Sequence, residues 1–318
     1  MQLISSSFPV PIFRDLREAG AQMAPNSIVI GNFDGVHVGH QALLHEARRH
    51  GKKVAVVTFR PHPAAVLQKY EYRPLFPEDH QVRKMAQAGA DAVICLEFTE
   101  ELAHMDALTF AMRLVVDLRM QHVVIGEDFR FGVDRSGDAT LLAKFLEAHR
   151  VQLHVLPTVS VEGIPVHSRT IREALHRGDL AVVQKMLKEP YTLYGRVLYG
   201  FGWGRQLGFP TANLDTVQWL PGDGVYAAIA KTAAGEFYPC AFSVGRRETF
   251  GSTLPRSLEA FLIGFSGNLY GQELVIQFHS FVRSQMRFSS KEELIQRMRE
   301  DVQTVNALLT GEVLYGFR

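Results

Sequence analysis

The stretch SIVIGNFDGVHVGH, residues 27–40, decides how the first half of this chain should fold. A short apolar run at residues 27–30 leads into a glycine-rich turn, and an amphipathic pattern over residues 41–50 follows it. This order predicts a strand that turns directly into a helix. In a parallel sheet such a turn lies at the carboxyl edge, where ligands bind. Free N–H groups and the dipole at the helix start favour a phosphate there.

Two histidines three residues apart, His37 and His40, would point the same way from the first turn of this helix. Three glycines in the stretch let the backbone approach a phosphate closely. A bare turn, a solvated helix start or half a metal site could each explain one of these features, but strand, glycines, acid and both histidines coincide. We therefore expect a site that stabilises negative charge on phosphorus. It is neither a Walker loop, since no Lys-Ser/Thr follows, nor a G-x-G-x-x-G dinucleotide fingerprint.

The bulk properties are those of a soluble globular chain. It has 318 residues, 47% of them hydrophobic and 21% charged, with a net charge of +1. This balance gives no electrostatic reason to expect a nucleic acid or a membrane surface as partner. Cys95 and Cys240 form no CxxC and lie in apolar runs, so we expect buried thiols in a reducing compartment. With no leader-like start and no apolar run of roughly 20 residues, we expect a cytoplasmic protein.

Strand-like and helix-like patterns alternate up to about residue 185. Continuous apolar runs recur with helical patterns between them, which predicts an α/β doubly wound parallel sheet. The runs lie at residues 27–30, 54–59, 92–96, 122–125 and 152–156.

The rhythm changes after residues 188–190, which we take as an interdomain hinge. From 191 to about 283 the apolar runs are short and glycine-broken, so they predict five or six antiparallel strands in a small barrel. A capping box, Ser290 to Glu293, starts a C-terminal helix whose apolar stripe at 294, 298, 302 and 305 we assign to core packing. We therefore expect domains at 1–186 and 187–318.

The string GNFDGVHVGH resembles the G-x-F-D-G-x-H-x-G-H signature of the nucleotidyltransferase module in the bacterial bifunctional riboflavin kinase/FMN adenylyltransferase (FAD synthetase) family. The resemblance extends over about residues 10–310 in the family's domain order. It implies a Rossmann-like nucleotidyltransferase domain that converts FMN and ATP to FAD and pyrophosphate. It also implies a kinase domain that forms FMN from riboflavin and ATP. ATP would be the co-substrate, FMN both product and substrate; whether the chain forms a homo-oligomer stays open.

Three further segments of the first domain match the family: TFRPHP at 58–63, GEDFRFG at 126–132 and SRTIR at 168–172. In the second, a carboxylate could accept from a ribose or base and a phenylalanine could stack on a ring, although two core aromatics in a turn is the alternative. His167 and Arg169 replace the family's usual Ser and Thr. The resemblance implies that His37 and His40 are catalytic and that nucleotide or flavin is bound by Gly31, Asn32, Phe33, Asp34, Gly35, Gly39, His62, Asp128, Phe129, Phe131, Ser168 and Arg172.

The string GFGWGRQLGFPTAN, residues 200–213, resembles the riboflavin kinase pattern G-x-G-x-G-R-x-L-G-F-P-T-A-N, with Trp203 where the family often has Arg. Its glycines predict a flap over phosphates, with an unliganded hairpin as the alternative. Thr211 and Asn213 offer oxygen ligands to a hard cation, and we expect Mg²⁺. The resemblance implies substrate binding by Gly200, Gly202, Gly204, Arg205, Gly208, Phe209 and Pro210.

Glu259 lies in a predicted strand, where a carboxylate usually faces solvent. The resemblance makes it the catalytic base that takes the proton of the ribityl 5′-hydroxyl. Ser243, Glu248 and Gly264 depart from the family pattern near the expected flavin and nucleotide loops. Two narrower hypotheses therefore stay open: an enzyme that keeps only one activity, or a non-catalytic flavin or nucleotide sensor.

Overall fold

The computed structural model describes residues 8–67, 72–199, 204, 207–245 and 256–309. The chain forms two compact units, Met1–Ser168 and Arg169–Arg318. In the described residues, no helix has the length and apolarity needed to cross a membrane.

The first unit is built on a six-stranded parallel sheet in the order β1-β4-β3-β2-β5-β6, with a small β7–β8 hairpin beside it. This confirms the predicted doubly wound sheet. The strands are β1 Ile12–Phe13, β2 Ser27–Ile30, β3 Val54–Arg60, β4 Ala92–Glu97, β5 His122–Gly126, β6 Gln152–Leu156, β7 Ser160–Val161 and β8 Ile164–Pro165. The helices are α1 Leu16–Gln22, α2 Val38–His50, α3 Pro63–Leu67, α4 Glu78–Gln87, α5 Glu100–Ala103, α6 Ala107–Leu118 and α7 Ala139–Ala148.

Alternate residues of the strands feed two apolar clusters, one on each face of the sheet. On one face Ile28 and Val57 pack with α1, α6 and α7; on the other Val29 and Val56 pack with α2 and α4. Burial on both faces explains why the strands read as unbroken apolar runs. The strand order reverses between β2 and β5, so the turns after these strands flank the crevice where ligands bind in such sheets.

The second unit is a closed antiparallel barrel in the order β10-β13-β12-β11-β14-β9, which confirms the predicted barrel. Its strands are β9 Thr192–Leu198, β10 Ala212–Asp215, β11 Gly224–Lys231, β12 Phe237–Gly245, β13 Ser257–Leu262 and β14 Glu273–Arg283. Its helices are α8 Ser168–Arg177, whose first residue belongs to the first unit, α9 Leu180–Leu187 and α10 Lys291–Leu308. Helix α10 begins where predicted, because the hydroxyl of Ser290 accepts from the Glu293 N–H at 3.1 Å.

Helices α8 and α9 group with the barrel, ahead of the domain border expected after residue 186. Helix α9 packs on β14. The N–H of Gly222 also donates to the carbonyl of Leu175 in α8 at 3.0 Å. The border of the compact units therefore falls at the start of α8.

Both cysteines are free and buried, as expected. Burial raises the pKa of the Cys95 thiol to about 11 and also raises the pKa of Cys240. Neither side chain is a thiolate near neutral pH.

Candidate active sites

The turn between β2 and α2 places His37 and His40 side by side. His37 is the N-cap of α2, and its Nδ1 accepts from the His40 N–H at 3.4 Å. The two rings stack with centroids 3.7 Å apart and planes 18° apart. Gly39 leaves room for this, since a Cβ there would lie 3.1 Å from the His37 ring. The three-residue spacing therefore produces one face of two imidazoles at a helix start.

The turn itself has an unusual backbone. Phe33 and Val36 both have positive φ values, 53° and 42°, although both are fully buried, and Gly35 has φ 86°. A β-branched or bulky side chain in this region is strained and is held there by its surroundings. The ring of Phe33 stacks on His40 at 4.8 Å. Core packing thus fixes the shape of the loop that carries the histidines.

Both imidazoles are neutral at pH 7. Burial, with smaller contributions from Lys84 and His167, lowers the pKa of His40 to about 3. Burial first, and then His40, holds the pKa of His37 well below its usual range. Because Nδ1 of His37 accepts a hydrogen bond, its Nε2 carries the proton. Nδ1 of His40 is buried without a hydrogen-bond partner in the part of the chain that the structure describes.

A buried lysine lies beside the turn, and the sequence analysis missed it. Lys84 of α4 is 7% exposed; its Nζ is 3.4 Å from the carbonyl oxygen of Gly35 and 5.3 Å from the centre of the Phe76 ring. The feature of the sequence that could have revealed Lys84 is its position next to Met85, on the face of α4 that is buried. It adds a positive charge where we predict phosphate.

Asp34, predicted to bind substrate, holds the turn together in this structure. It is buried, and its carboxylate accepts from the N–H of Leu75 at 2.9 Å. Its carbonyl accepts from the hydroxyl of Ser168 at 2.8 Å. The carbonyl of its neighbour Asn32 accepts from the Thr58 hydroxyl at 3.2 Å. Asp34 and Ser168 therefore join three distant segments at the predicted site.

His62 and Asp128 each contact the side chain of a residue that has a ring. Nδ1 of His62 accepts from the N–H of Ala64 at 3.1 Å, and its ring stacks on Tyr72 at 4.2 Å. Oδ2 of Asp128 lies 3.6 Å from Nδ1 of His167. His167, which stands where the family usually has Ser, thus brings a third imidazole to this part of the unit.

The two phenylalanines after β5 pack into the protein. Phe131 is 9% exposed and packs near Phe110 in the core, while the half-buried Phe129 stacks on it at 5.4 Å. This packing favours the core-aromatic alternative for Phe131. Arg172, one helical turn after Ser168 in α8, places its guanidinium 5.3 Å from the ring centre of Trp219.

The barrel unit contains a cavity of about 830 Å³, lined by predicted residues that include Gly204, Phe209 and Pro210. Thr211, Asn213 and Glu259 also line it. The Thr211 hydroxyl donates to Oε2 of Glu259 at 3.2 Å, and Asn213 pairs with Glu259 across β10 and β13. Hydroxyl, amide and carboxylate oxygens at one place suit a hard cation such as Mg²⁺.

The glycine-rich segment makes a tight turn where it is described. The N–H of Phe209 donates to the Gly204 carbonyl at 2.8 Å, and a Cβ on Gly204 would lie 2.3 Å from the Phe209 carbonyl oxygen. Gly208 has φ 85°, a conformation that favours glycine. Four residues named in the sequence analysis lie outside the described residues: Gly200, Gly202, Trp203 and Arg205. Glu248 does so as well.

The apolar stripe of α10 is only partly core, which corrects the assignment made from its spacing. Val305 is buried with Ala227 and Ile229, whereas Leu294, Met298 and Val302 line the cavity. The same spacing of apolar residues occurs whether a helix face packs in a core or lines a cavity, because both require apolar side chains on one face of the helix.

An ion pair that the sequence analysis missed also borders the cavity. Nε and Nη2 of Arg283 lie 2.8 and 2.6 Å from the two carboxylate oxygens of Asp301, and both side chains are nearly buried. This bidentate pair joins β14 to α10.

Two departures from the family pattern have structural surroundings. The hydroxyl of Ser243 accepts from Nε2 of Gln285 at 3.0 Å. Gly264 has φ 82°, a conformation easier for glycine than for other residues. Ser243 in β12 therefore has a polar partner from another segment, and Gly264 fits the backbone of the turn after β13.

Two family models match the chain in the order of its two units. A model of FAD synthetase matches residues 20–170, and a model of riboflavin kinase matches residues 187–309. Residues 171–186 lie between the two matches.

Curated relatives match over most of their length. The bifunctional riboflavin kinase/FMN adenylyltransferase of Listeria monocytogenes is 32% identical over 88% of this chain and 91% of the relative. The enzyme of the same name from Pseudomonas fluorescens is 35% identical over the same shares. A crystal structure of a macrolide-efflux protein from Streptococcus pneumoniae has a TM-score of 0.82 at 25% identity, covering 93% of this chain and 98% of that one.

Proposed function

The chain belongs to the bifunctional riboflavin kinase/FMN adenylyltransferase family, and from this premise we propose how its own residues divide the two reactions. The enzyme phosphorylates riboflavin to FMN with ATP, then transfers an adenylyl group from ATP to FMN, forming FAD and releasing pyrophosphate. We assign the second reaction to residues 1–186 and the first to residues 187–318. The two buried free cysteines support placing both reactions in the cytoplasm.

For adenylyl transfer, the turn between β2 and α2 positions and stabilises charge. The attacking phosphate oxygen of FMN is already ionised, so the reaction at the α-phosphorus of ATP needs no strong general base. His37 would donate a hydrogen bond from Nε2, and His40 from the ring nitrogen that carries its proton, as the pentavalent phosphorus forms. Lys84 and the free N–H groups at the start of α2 add positive potential.

For riboflavin phosphorylation, Glu259 removes the proton from the ribityl 5′-hydroxyl as that oxygen attacks the γ-phosphate and ADP leaves. Thr211 and Asn213 would hold Mg²⁺, which neutralises phosphate charge when bound. The α10 side chains Leu294, Met298 and Val302 supply an apolar wall suited to a flavin ring.

The observation that carries this proposal is the 3.2 Å hydrogen bond between Thr211 and Glu259, with Asn213 paired beside them in the cavity. Thr211 and Glu259 are 48 positions apart, so only the closed barrel brings them together. A small-molecule kinase needs a base for the hydroxyl of its substrate and a cation site for the phosphates of ATP. Glu259 suits the first role, and Thr211 with Asn213 suits the second.

The test replaces Glu259 by Gln in the full chain. Glu259→Gln should lower FMN formation from riboflavin by about 10²–10⁴-fold. Because the other unit is untouched, conversion of added FMN to FAD should be unchanged. Chromatography of the flavins after incubation with ATP and Mg²⁺ measures both steps in one sample.

The matched control is Glu236→Gln, an exposed glutamate at the turn between β11 and β12, which should keep both activities. FMN formation that survives Glu259→Gln would remove Glu259 from the role of base. In the wild-type protein, a single conversion would support the narrower one-activity enzyme, and flavin binding without turnover would support a sensor.

A further inference from the structure

Three histidines of the first unit come together away from His37 and His40. His50 is the last residue of α2, His122 the first of β5, and His154 lies in β6. One ligand atom from each lies within 4.8 Å of the others, and all three side chains are half-buried. Within residues 8–309, wherever the structure describes the chain, this is the single group of three or more His, Cys, Asp or Glu side chains with such spacing.

The fold gives these histidines a common face. His50 continues the buried stripe of Leu43 and Ala47 along α2, at positions i, i+4 and i+7. His154 pairs with Val124, two residues beyond His122, so both imidazoles lie on the same side of β5 and β6. The cluster thus occupies the end of the sheet opposite the phosphate-binding turn, between the end of α2 and an edge strand.

The spacing of the nitrogens is close to that of a metal site. Nδ1 of His122 and Nε2 of His154 share a hydrogen bond of 3.2 Å, whose proton a bound metal ion would replace. Two nitrogens bound to one tetrahedral Zn²⁺ at about 2.0–2.1 Å lie roughly 3.3 Å apart. The His50 ring stacks on His154 at 3.8 Å, so a rotation of His50 out of this stack would complete three ligands.

A carboxylate contacts the third imidazole, that of His50. Oε1 of Glu46 lies 2.9 Å from Nε2 of His50, the carboxylate–histidine arrangement that accompanies many zinc ligands. The dipole at the end of α2 favours a cation in the same place.

We propose that His50, His122 and His154 bind one divalent transition-metal ion of the Zn²⁺ class, with Glu46 orienting His50 from behind. An all-imidazole set selects Zn²⁺, Ni²⁺ or Cu²⁺ over Mg²⁺, so this site is separate from the cation site of the kinase. The ion ties α2 to β5 and β6. Since the other end of α2 carries His37 and His40, bound metal stabilises the element on which adenylyl transfer depends.

The test uses tag-free, metal-stripped full-length protein titrated with Zn²⁺ alone. Calorimetry should show one equivalent bound, and the thermal unfolding midpoint should rise with Zn²⁺ concentration. Co²⁺ should give the visible absorption of a tetrahedral site. His154→Gln and His122→Gln should lose the bound equivalent, the rise in unfolding midpoint and the Co²⁺ spectrum.

Glu46→Gln keeps all three imidazoles and should bind Zn²⁺ about 10–100-fold more weakly. His45→Gln, exposed on the same helix, is the matched control and should bind as the wild type does. The proposal is overturned if the wild-type protein binds no Zn²⁺, or if the His154→Gln and Glu46→Gln variants both bind it as tightly as His45→Gln.

Discussion

At the scale of single residues, the imidazoles of His37 and His40 stack in the one helix turn where we propose that adenylyl transfer takes place. His40→Ala removes one N–H donor and the ring that supports both Phe33 and His37. We expect about a 10²–10³-fold loss of FAD formation from FMN, the cost typical of one lost donor to a transition-state charge. FMN formation from riboflavin should be unchanged, as flavin chromatography measures.

The control for this variant is His45→Ala on the exposed side of the same helix. It should leave both conversions intact. Near-normal FAD formation by His40→Ala would exclude a catalytic part for this imidazole.

The lowered pKa of each of these histidines also makes stability depend on pH. An unfolded histidine takes up a proton near pH 6.5, whereas His40 in the folded chain does so only near pH 3. Between these values the unfolded state binds more protons at His40, so lowering the pH by one unit lowers the free energy of unfolding by about 1.4 kcal/mol at this site. Urea unfolding at several pH values below 6.5 measures this slope.

Gln cannot titrate, so His40→Gln should reduce the dependence of the free energy of unfolding on pH by the amount that corresponds to about one proton. A slope identical to that of the wild-type protein would contradict the buried, neutral state of His40.

The sequence indicated candidate site residues but not their contacts. Motif spacing and resemblance pointed to His37, Glu259 and Thr211 without showing that Thr211 would bond to Glu259. Lys84 was missed because a lysine beside Met85 in α4 is a weak signal by itself, and the Gly35 carbonyl that it contacts lies 49 positions earlier. Residue type predicts chemistry, but long-range contacts decide which side chains share a site.

At the scale of elements, Arg283 and Asp301 hold α10 against β14. Asp301→Leu leaves the nearly buried guanidinium of Arg283 unpaired, so we expect a loss of about 3–5 kcal/mol in the free energy of unfolding. The double variant Asp301→Leu/Arg283→Met should recover much of that loss, because no buried charge is then left alone. Urea denaturation measures both variants.

The exposed pair of Arg169 and Glu173 provides the comparison. Glu173→Gln should change the free energy of unfolding by less than about 1 kcal/mol. An equal effect of Asp301→Leu and Glu173→Gln would show that the buried pair contributes little to holding α10.

Elements with a long pattern were predicted from the sequence, and short ones were not. Strands β2 to β5 have buried centres and read as apolar runs, whereas the edge strand β6 was found from its apolar residues although none of them is fully buried. Strand β1, Ile12–Phe13, is too short to show any period and exists through its pairing with β4. Strand β10 was hidden in a glycine-rich segment, because its pairing with β9 and β13 defines it rather than its own composition.

At the scale of the whole molecule, the border between the units makes a measurable difference. Four side chains of α8 and α9, Ile171, Leu175, Val183 and Met186, are fully buried and belong to the unit that contains the barrel. A fragment of residues 169–318 should therefore be more stable than one of residues 187–318 by several kcal/mol, at roughly 1.5–3 kcal/mol per large apolar side chain. Denaturant unfolding of the two fragments tests this.

If the two fragments are equally stable, α8 and α9 do not stabilise the barrel, and the domain border expected after residue 186 is the better description. The order of the two folds could be predicted from the change in pattern near residue 190. The position of the border could not be predicted, because the sequence of an amphipathic helix such as α9 does not show which unit its apolar face packs against.

The burial of both thiols makes this chain convenient for spectroscopy. Cys95 and Cys240 are the only cysteines, and each is buried with a raised pKa, so alkylating reagents should leave the native protein unmodified. A cysteine introduced at an exposed position such as His45 or Glu236 would then be the single labelled site in its unit. One fluorophore on each unit would let energy transfer follow the distance between them while riboflavin is converted to FAD.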